Sequence, residues 1–142
     1  MNIKPLILSI GASVVLLGGA VWWASTQSPP QSNGELVSAN GLHWHPELAI
    51  YFKGEQQQIP ANIGLVGGHK PMHTHEDLPI IHLEFQGAVR SQDITLKKFF
   101  DTWGKDMQSF GTNMTMTVNG EPNTELGEYV FRDGDKVELR YE

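Results

Sequence analysis

The sequence contains no cysteine among its 142 residues. This excludes disulfides, thiolate nucleophiles, iron–sulfur ligation and every metal site built on thiolates. Basic residues are also scarce, with 10 lysines and arginines against 16 aspartates and glutamates, and they form no cluster. Because binding a phosphate backbone requires a basic surface, the composition predicts that nucleic acid is not a partner. Any bound metal must use ligands other than thiolates.

Charged residues are missing from residues 6–24 as well. At about 1.5 Å per residue, an apolar helix of this length would cross a hydrocarbon core of about 30 Å. Lys4 precedes the run, and Trp22 and Trp23 lie near its end, a pattern typical of a membrane helix whose amino terminus stays inside. A cleaved signal peptide is the alternative, although bulky tryptophans stand where cleavage favours small residues. We therefore expect a single-pass protein of the cell membrane whose C-terminal domain lies outside the cytoplasm.

Composition divides the chain into three parts. Residues 1–26 are the predicted N-terminal transmembrane anchor. Residues 27–39 are rich in Ser, Pro, Gln, Asn and Gly, a composition that cannot bury a core and predicts a flexible linker. Residues 40–142 are long enough for one modest core and form the predicted extracytoplasmic (periplasmic) domain. The expected partners are the membrane, through the N-terminal helix, and another extracytoplasmic protein as a further candidate.

Alternating apolar residues indicate strands in the predicted domain. A first strand, 48–52, is followed by a turn at Lys53-Gly54 into 56–59, which predicts a hairpin. Apolar residues at helical spacing predict a helix over 96–103 that ends at Gly104. Strands followed by a helix and further strands are typical of the α+β class. The remaining predicted strands are 80–85, 114–118, 128–131 and 136–141.

The second half of the chain resembles the β-grasp fold of ubiquitin-like and small sulfur-carrier proteins. The resemblance is carried by the Thr95-Leu96 helix start, the strand ending Val118-Asn119-Gly120-Glu121 and the closing strand 133–139. It implies an α+β, β-grasp-like small sheet with one packed helix, preceded by the transmembrane helix. Strands 48–52 and 80–85 would form its first hairpin, with a histidine-rich loop inserted between them. Sulfur carriers end in Gly-Gly rather than Arg140-Tyr141-Glu142, so their activity is not expected here.

All six histidines lie within residues 43–82. Residues two apart in an extended chain share a face, and imidazole groups that converge on one point bind zinc and copper well. Three such pairs are present: His43 and His45, His73 and His75, and His82 and Glu84. We predict a copper or zinc site whose first ligands are His73, His75 and His82, with His45 as the fourth, His43 as a further candidate, and Glu84 as a ligand or as an acceptor that fixes a ring tautomer.

Other residues near the histidines have less specific interpretations. His69 is interpreted as solvated, since the neighbouring Lys70 opposes charging of the ring. Met72 is a candidate thioether ligand for Cu(I), and Glu76 and Asp77 are candidate general acids or bases. Each histidine taken alone also fits a polar residue on a loop or on the open face of a sheet.

Five motifs and a strand ending near Gly54 together resemble a functionally uncharacterised group of exported or membrane-anchored bacterial and archaeal His-rich proteins. The resemblance covers nearly the whole predicted domain and implies a shared site, without implying any one activity. The motifs are His43-Trp44-His45, Ile59 to Gly64, His73-Thr74-His75, Ile81 to Glu84, and Phe99 to Gly104.

Three functions are compatible with these patterns. The first is a membrane-anchored extracytoplasmic domain that binds copper or zinc for metal handling, sensing or delivery. The second is a metal-dependent enzyme in which three histidines activate water or dioxygen and Glu84 or Glu76 moves protons. The third is a protein-interaction module without a metal. Motifs for serine nucleophiles, phosphate loops and dinucleotides are missing from the sequence.

Overall fold

The computed structural model describes residues 34–142, which belong to one unit, Asn33–Glu142. Within this part of the chain there are ten strands, one α-helix and three short 3-10 helices. The strands are β1 (Leu36–Ser38), β2 (Leu42–Trp44), β3 (Glu47–Phe52), β4 (Glu55–Gln57), β5 (Met72–His73), β6 (His82–Phe85), β7 (Val89–Arg90), β8 (Thr115–Val118), β9 (Glu121–Asn123) and β10 (Lys136–Tyr141). The α-helix is α1 (Leu96–Trp103), and the 3-10 helices are Ser91–Ile94, Met107–Phe110 and Leu126–Glu128.

The larger sheet has five strands in the order β4-β3-β10-β8-β9. Its central pair is parallel, with β10 in register with β3 from Lys136 opposite Glu47 to Tyr141 opposite Phe52. Side chains alternate along each strand, so one face of this pair is apolar and buried. The buried residues of the two strands are Leu48, Ile50, Val137, Leu139 and Tyr141.

Helix α1 packs its apolar side into the core. The Thr95 hydroxyl accepts a hydrogen bond from the backbone N–H of Lys98 and caps the amino end. Gly104, at φ 73°, ends the helix in the left-handed conformation. Phe99 and Phe100 are almost completely buried, and burying each of them stabilises the fold by about 1.5–3 kcal/mol.

A second sheet, of three strands in the order β2-β6-β5, carries the histidines. We call it the histidine sheet. Leu83, in the middle strand, lies opposite Trp44 on β2 and Met72 on β5. Leu83 and Met72 are buried and Trp44 is half-buried against the core, so this face of the sheet is apolar. Because side chains alternate, the residues on either side of Leu83 point to the opposite face.

The predicted fold class is wrong as stated. The domain is mostly strands with one helix, and the histidines lie on and beside the strands of a second sheet rather than in a loop inserted into one sheet. Lys53 and Gly54 both have positive φ and form a tight turn that returns the chain into β4. Strand β3 has β4 on one side and β10 on the other, so no edge of β3 is left for β6. The predicted strand 80–85 contacts β3 only near its start, through a bridge between Ile80 and Glu47.

The predicted transmembrane helix also requires correction. Residues 6–24 lie outside the described part of the chain. Within residues 34–142, no helix has the length and apolar character needed to cross a membrane. Helix α1 has 8 residues, whereas a crossing takes about 20. The predicted localisation in the cell membrane, with the C-terminal domain outside the cytoplasm, depended on that helix and is not retained.

Part of the predicted linker belongs to the folded unit. Strand β1, within residues 27–39, pairs antiparallel with β7. Two further hydrogen bonds hold this end: the Arg90 guanidinium donates to the Gly34 carbonyl at 3.1 Å, and the Glu35 N–H donates to the Ser91 hydroxyl at 3.1 Å. Residues 27–33 of the predicted linker and all of the predicted segment 1–26 lie outside the described residues.

Candidate metal centre

Strand register places four of the candidate ligands on one face of the histidine sheet. His82 on β6 lies opposite His73 on β5, and Glu84 on β6 lies opposite His43 on β2. Residues directly opposite in an antiparallel pair project to the same side, and so do residues two apart on one strand. All four side chains therefore project from the face opposite Leu83.

The imidazole rings form a continuous cluster on this face. The rings of His73 and His82 stack, with centroids 5.5 Å apart and planes 13° apart. The His75 ring lies 4.8 Å from that of His73 and 4.7 Å from that of His82. On the other side, the His45 ring lies 5.0 Å from that of His82 and 4.7 Å from that of His43. His82 is therefore a neighbour of both ends of the cluster.

Three groups of side chains within the described residues bring ligand atoms close enough to hold one metal ion. In each group these atoms all lie within 4.8 Å of one another. One of the groups shares a histidine with each of the other two. They are the central trio, His73, His75 and His82; the His45 trio, His43, His45 and His82; and the His69 trio, His69, His73 and Glu84.

The tautomer of His73 is set by a backbone carbonyl. Its Nδ1 lies 3.0 Å from the Lys70 oxygen. Because a carbonyl can only accept, Nδ1 carries the proton and Nε2 keeps a lone pair. The residue is fully buried, and among the described residues Nε2 has no hydrogen-bond partner. Leaving a buried acceptor unpaired costs about 1–3 kcal/mol, and a metal ion among the neighbouring ligands would satisfy it.

Burial also keeps His73 in the form that binds metals. Desolvation lowers the pKa of His73 below its ordinary value of 6.5, and nearby His69 lowers it further, against the opposing effect of the Lys70 carbonyl. Metal binding requires neutral imidazole, because a protonated ring nitrogen has no lone pair to donate. At neutral pH, His73 is therefore neutral, the form that can bind a metal ion.

Two carboxylates contact histidines of the cluster. An Asp77 oxygen lies 3.1 Å from His82 Nε2, and Glu84 Oε1 lies 3.2 Å from His43 Nε2. The contact with His82 lowers the pKa of Asp77 below its ordinary value of 3.8. A carboxylate on one ring nitrogen fixes the tautomer and makes the other nitrogen a stronger metal ligand. With Nε2 held by Asp77, Nδ1 of His82 is the nitrogen available to an ion.

The glycine-containing loop 61–70 lies over β5 and covers His73. The Thr74 hydroxyl donates to the Pro60 carbonyl at 2.9 Å and accepts from the Ile63 N–H at 3.1 Å, which attaches the start of the loop to the strand. Gly64 has φ 75°, and a Cβ there would lie 2.6 Å from the Met72 carbonyl oxygen. Only glycine allows this approach of the two backbones.

The turn before β10 positions His45. The backbone N–H of His45 donates to Asp133 Oδ1 at 2.8 Å. The same turn is held by the buried carboxylate of Asp135, which accepts from the Tyr129 hydroxyl at 2.6 Å and from the Arg132 N–H at 2.8 Å. The larger sheet therefore fixes one end of the histidine cluster.

The structure brings together all the predicted ligands and adds His69. The His69 ring lies 4.3 Å from that of His73, in the trio that includes Glu84. His69 is exposed, in agreement with the prediction that it is solvated, but it was not predicted to lie beside the cluster. The Lys70 N–H donates to the Gly64 carbonyl at 2.8 Å, so the chain turns back and places His69 beside β5. The sequence signal for this return of the chain was the group of glycines Gly64, Gly67 and Gly68, which adopt positive φ values.

Met72 is not placed as the copper hypothesis requires. It is buried opposite Leu83 on the apolar face of the histidine sheet. Since successive residues of a strand point to opposite faces, its sulfur lies on the other side from the ring of His73. Within the described residues, the three trios therefore consist of nitrogen and oxygen ligands.

No family model, no curated protein and no solved structure matches this chain. The resemblance to exported His-rich proteins therefore stays a prediction. The metal-binding capacity of the cluster rests on its own geometry.

Proposed function

We propose that this domain binds a transition metal ion, zinc or copper, at the central trio and functions in metal handling, sensing or delivery. The observation that carries the proposal is the buried, unpaired Nε2 of His73, which belongs to a group of three imidazoles. A buried acceptor without a donor destabilises the free protein. A bound ion removes that cost and uses the ring in the tautomer that Lys70 already imposes.

The ligand set favours zinc or copper(II) over copper(I). Three imidazoles with a carboxylate nearby suit borderline divalent ions, whereas Cu(I) favours soft sulfur ligands. The sulfur closest in sequence, that of Met72, lies on the opposite face of the strand. We therefore expect zinc to bind at least as well as Cu(I).

Exposure of the cluster supports handling rather than a closed structural site. The side chain of His43 is 64% exposed, and His45, His75 and His82 are half-buried. An ion can therefore reach the central trio from solvent through groups that are themselves ligands. A structural site would instead have four protein ligands closed around the ion.

A metal-dependent enzyme is a second candidate, favoured by the three-ligand composition of the central trio. A tetrahedral ion held by three histidines keeps one position for water, whose pKa the ion lowers. Glu76, the exposed neighbour of His75 in the chain, is the candidate general base for that water. Hydrolysis of an activated ester by the zinc-loaded protein, abolished in Glu76→Gln with zinc content unchanged, would favour this candidate over handling alone.

The test is to load the full chain, without an affinity tag, with zinc or copper(II), remove free metal, and measure bound metal by elemental analysis. His73→Ala/His82→Ala removes a ligand from all three trios and should abolish binding. Glu121→Gln, on exposed strand β9 of the other sheet, is the control and should bind as the wild type does. Wild-type protein that retains neither ion would contradict the proposal.

Thermal unfolding of the wild type gives a second measurement that does not depend on a variant. An ion that binds only the folded state stabilises it by about 2.7 kcal/mol at 100 times its dissociation constant. We expect zinc or copper(II) to raise the melting temperature and magnesium to leave it unchanged, because magnesium prefers oxygen ligands. Equal effects of zinc and magnesium would contradict a histidine site.

A further inference from the structure

The three trios overlap in a way that limits how they can be filled. The central trio shares His82 with the His45 trio and His73 with the His69 trio. The two outer trios share no residue with each other, and His75 belongs to the central trio alone. We infer that the cluster has two mutually exclusive loaded states: one ion in the central trio, or two ions, one in each outer trio. This inference rests on the proposed function.

Each shared ring has one nitrogen to offer. Nδ1 of His73 donates to the Lys70 carbonyl at 3.0 Å, which leaves Nε2. Nε2 of His82 lies 3.1 Å from Asp77, which leaves Nδ1. One neutral nitrogen has one lone pair and binds one ion. An ion in the central trio therefore takes the lone pairs that both outer trios need.

Charge permits two ions but makes the second one weaker. Two divalent cations in one cluster repel each other. A carboxylate is present for each outer trio, since Glu84 is itself a ligand of the His69 trio and Asp77 contacts His82 of the His45 trio. These negative charges offset part of the repulsion. We expect the second zinc ion to bind at least about 10-fold more weakly than the first.

Arrival of the second ion changes the ligands of the first. The first ion leaves His75 and keeps one of the two shared rings, while the second ion takes the other. The firmly held single ion is thereby converted into two ions, each at an edge with an exposed ligand, His43 in one case and His69 in the other. At high zinc the cluster therefore becomes a site that releases an ion readily, as a delivery function requires.

The experiment is a zinc titration of the full chain in competition with a chromophoric chelator, accompanied by cobalt(II) absorption spectra. The wild type should bind two zinc ions in two separated steps. The cobalt spectrum of the first equivalent should be replaced on adding the second, rather than doubled, because the first ion changes its ligands.

Single variants separate the two loaded states. His75→Ala removes only the central trio, so it should still bind two ions, with the first step weakened by about 10-fold or more. His45→Ala and His69→Ala each remove one outer trio and should bind one ion with the first step unchanged. All three side chains are half-buried or exposed, so the fold should tolerate their truncation, and His75→Gln and His45→Gln repeat the test with a larger side chain.

The outcomes distinguish this inference from the proposed function. A wild type that saturates at one zinc ion overturns the two-ion state and leaves the proposed function standing. Two ions in His45→Ala or His69→Ala, or one ion in His75→Ala, overturns the assignment of the trios. A wild type that binds no ion means that the proposed function itself is wrong.

Discussion

His73 and His82 lie directly opposite each other on β5 and β6, and their rings stack with centroids 5.5 Å apart. Each of the three trios contains at least one of these two residues. His73 is fully buried, whereas the side chain of His82 is 12% exposed and contacts the exposed carboxylate of Asp77. The pair therefore joins a buried part of the cluster to an accessible one, and changes at either residue should affect metal binding more than changes at the edges.

Replacing His73 with an apolar residue should weaken metal binding without lowering the stability of the metal-free protein by much. His73→Leu removes the unpaired buried nitrogen, at the cost of one hydrogen bond to the Lys70 carbonyl, and Lys70 is exposed to water. We expect the unfolding free energy without metal to stay within about 1 kcal/mol of the wild type or to rise. The stabilisation by zinc should fall sharply, because two trios lose a ligand. Urea unfolding with and without zinc measures both, and a variant that keeps the full zinc effect would contradict the role of His73.

The lowered pKa of His73 predicts that acid destabilises the metal-free protein. Below pH 6.5 the unfolded chain takes up a proton on this residue, while the folded chain, with its lower pKa, stays neutral. The unfolding free energy should therefore have its full value above pH about 6.5 and decrease as the pH falls toward the pKa of His73 in the folded state. Urea unfolding between pH 7.5 and pH 5 measures the slope. His73→Leu should show a smaller slope, and an unchanged one would contradict this origin.

Local patterns predicted most of the candidate ligands, but not how they are grouped. His43 and His45, and likewise His73 and His75, share a face because the chain is extended, which is a property of neighbouring residues. The pairing of His73 with His82 depends on the register between β5 and β6, which no local pattern encodes. His69 was missed for the same reason, since its position depends on a backbone contact between Lys70 and Gly64.

The sheets were harder to predict than the strands. The apolar segment ending at Phe85 was correctly interpreted as extended, but it was assigned to the wrong sheet. Its alternation shows that one face is buried, without showing which strand lies beside it. The positive φ values at Lys53 and Gly54 direct the preceding strand into β4, and this short hairpin takes the edge that the longer-range pairing would have needed.

Asp77 should strengthen metal binding without being a ligand. Asp77→Asn keeps the size of the side chain and removes the negative charge beside His82 Nε2. Loss of such a carboxylate partner typically lowers metal affinity by about 10- to 100-fold. Glu76→Gln is the matched control, since Glu76 is an exposed neighbour that belongs to no trio. Competition with a chelator measures the zinc dissociation constant, and equal affinities of the two variants would contradict the role of Asp77.

The close approach of loop 61–70 to β5 can be tested at Gly64. Gly64→Ala places a methyl group 2.6 Å from the Met72 carbonyl oxygen, in addition to the strain of φ 75°. Gly67→Ala has a similar φ of 80°, but in the described part of the chain no atom lies within 4 Å of the added methyl group. We expect Gly64→Ala to lower the unfolding free energy by about 1–3 kcal/mol more than Gly67→Ala does. Chemical denaturation of both variants checks this, and equal losses would show that only backbone strain matters.

Removing the hydroxyl group of a buried tyrosine should destabilise the domain at Tyr129 but not at Tyr141. The Tyr129 hydroxyl donates to Asp135 at 2.6 Å, and burial together with this bond raises the pKa of Tyr129. The Tyr141 hydroxyl is buried and has no hydrogen-bond partner within residues 34–142, and burial raises the pKa of Tyr141 to about 12. Tyr129→Phe should lower the unfolding free energy by about 1–3 kcal/mol, because Asp135 loses a donor, whereas Tyr141→Phe should be neutral or stabilising.

Tyr129→Phe should also weaken zinc binding at one end of the histidine cluster, although Tyr129 belongs to none of the trios. Asp135 and Asp133 belong to the same turn, and Asp133 accepts the backbone N–H of His45 at 2.8 Å. Loosening that turn releases one end of the His45 trio while leaving the central trio intact. We therefore expect Tyr129→Phe to weaken the second zinc step and to leave the first unchanged, with Tyr141→Phe unchanged in both. A weaker first step in Tyr129→Phe would mean that the turn supports the whole histidine sheet, because the central trio contains neither His43 nor His45.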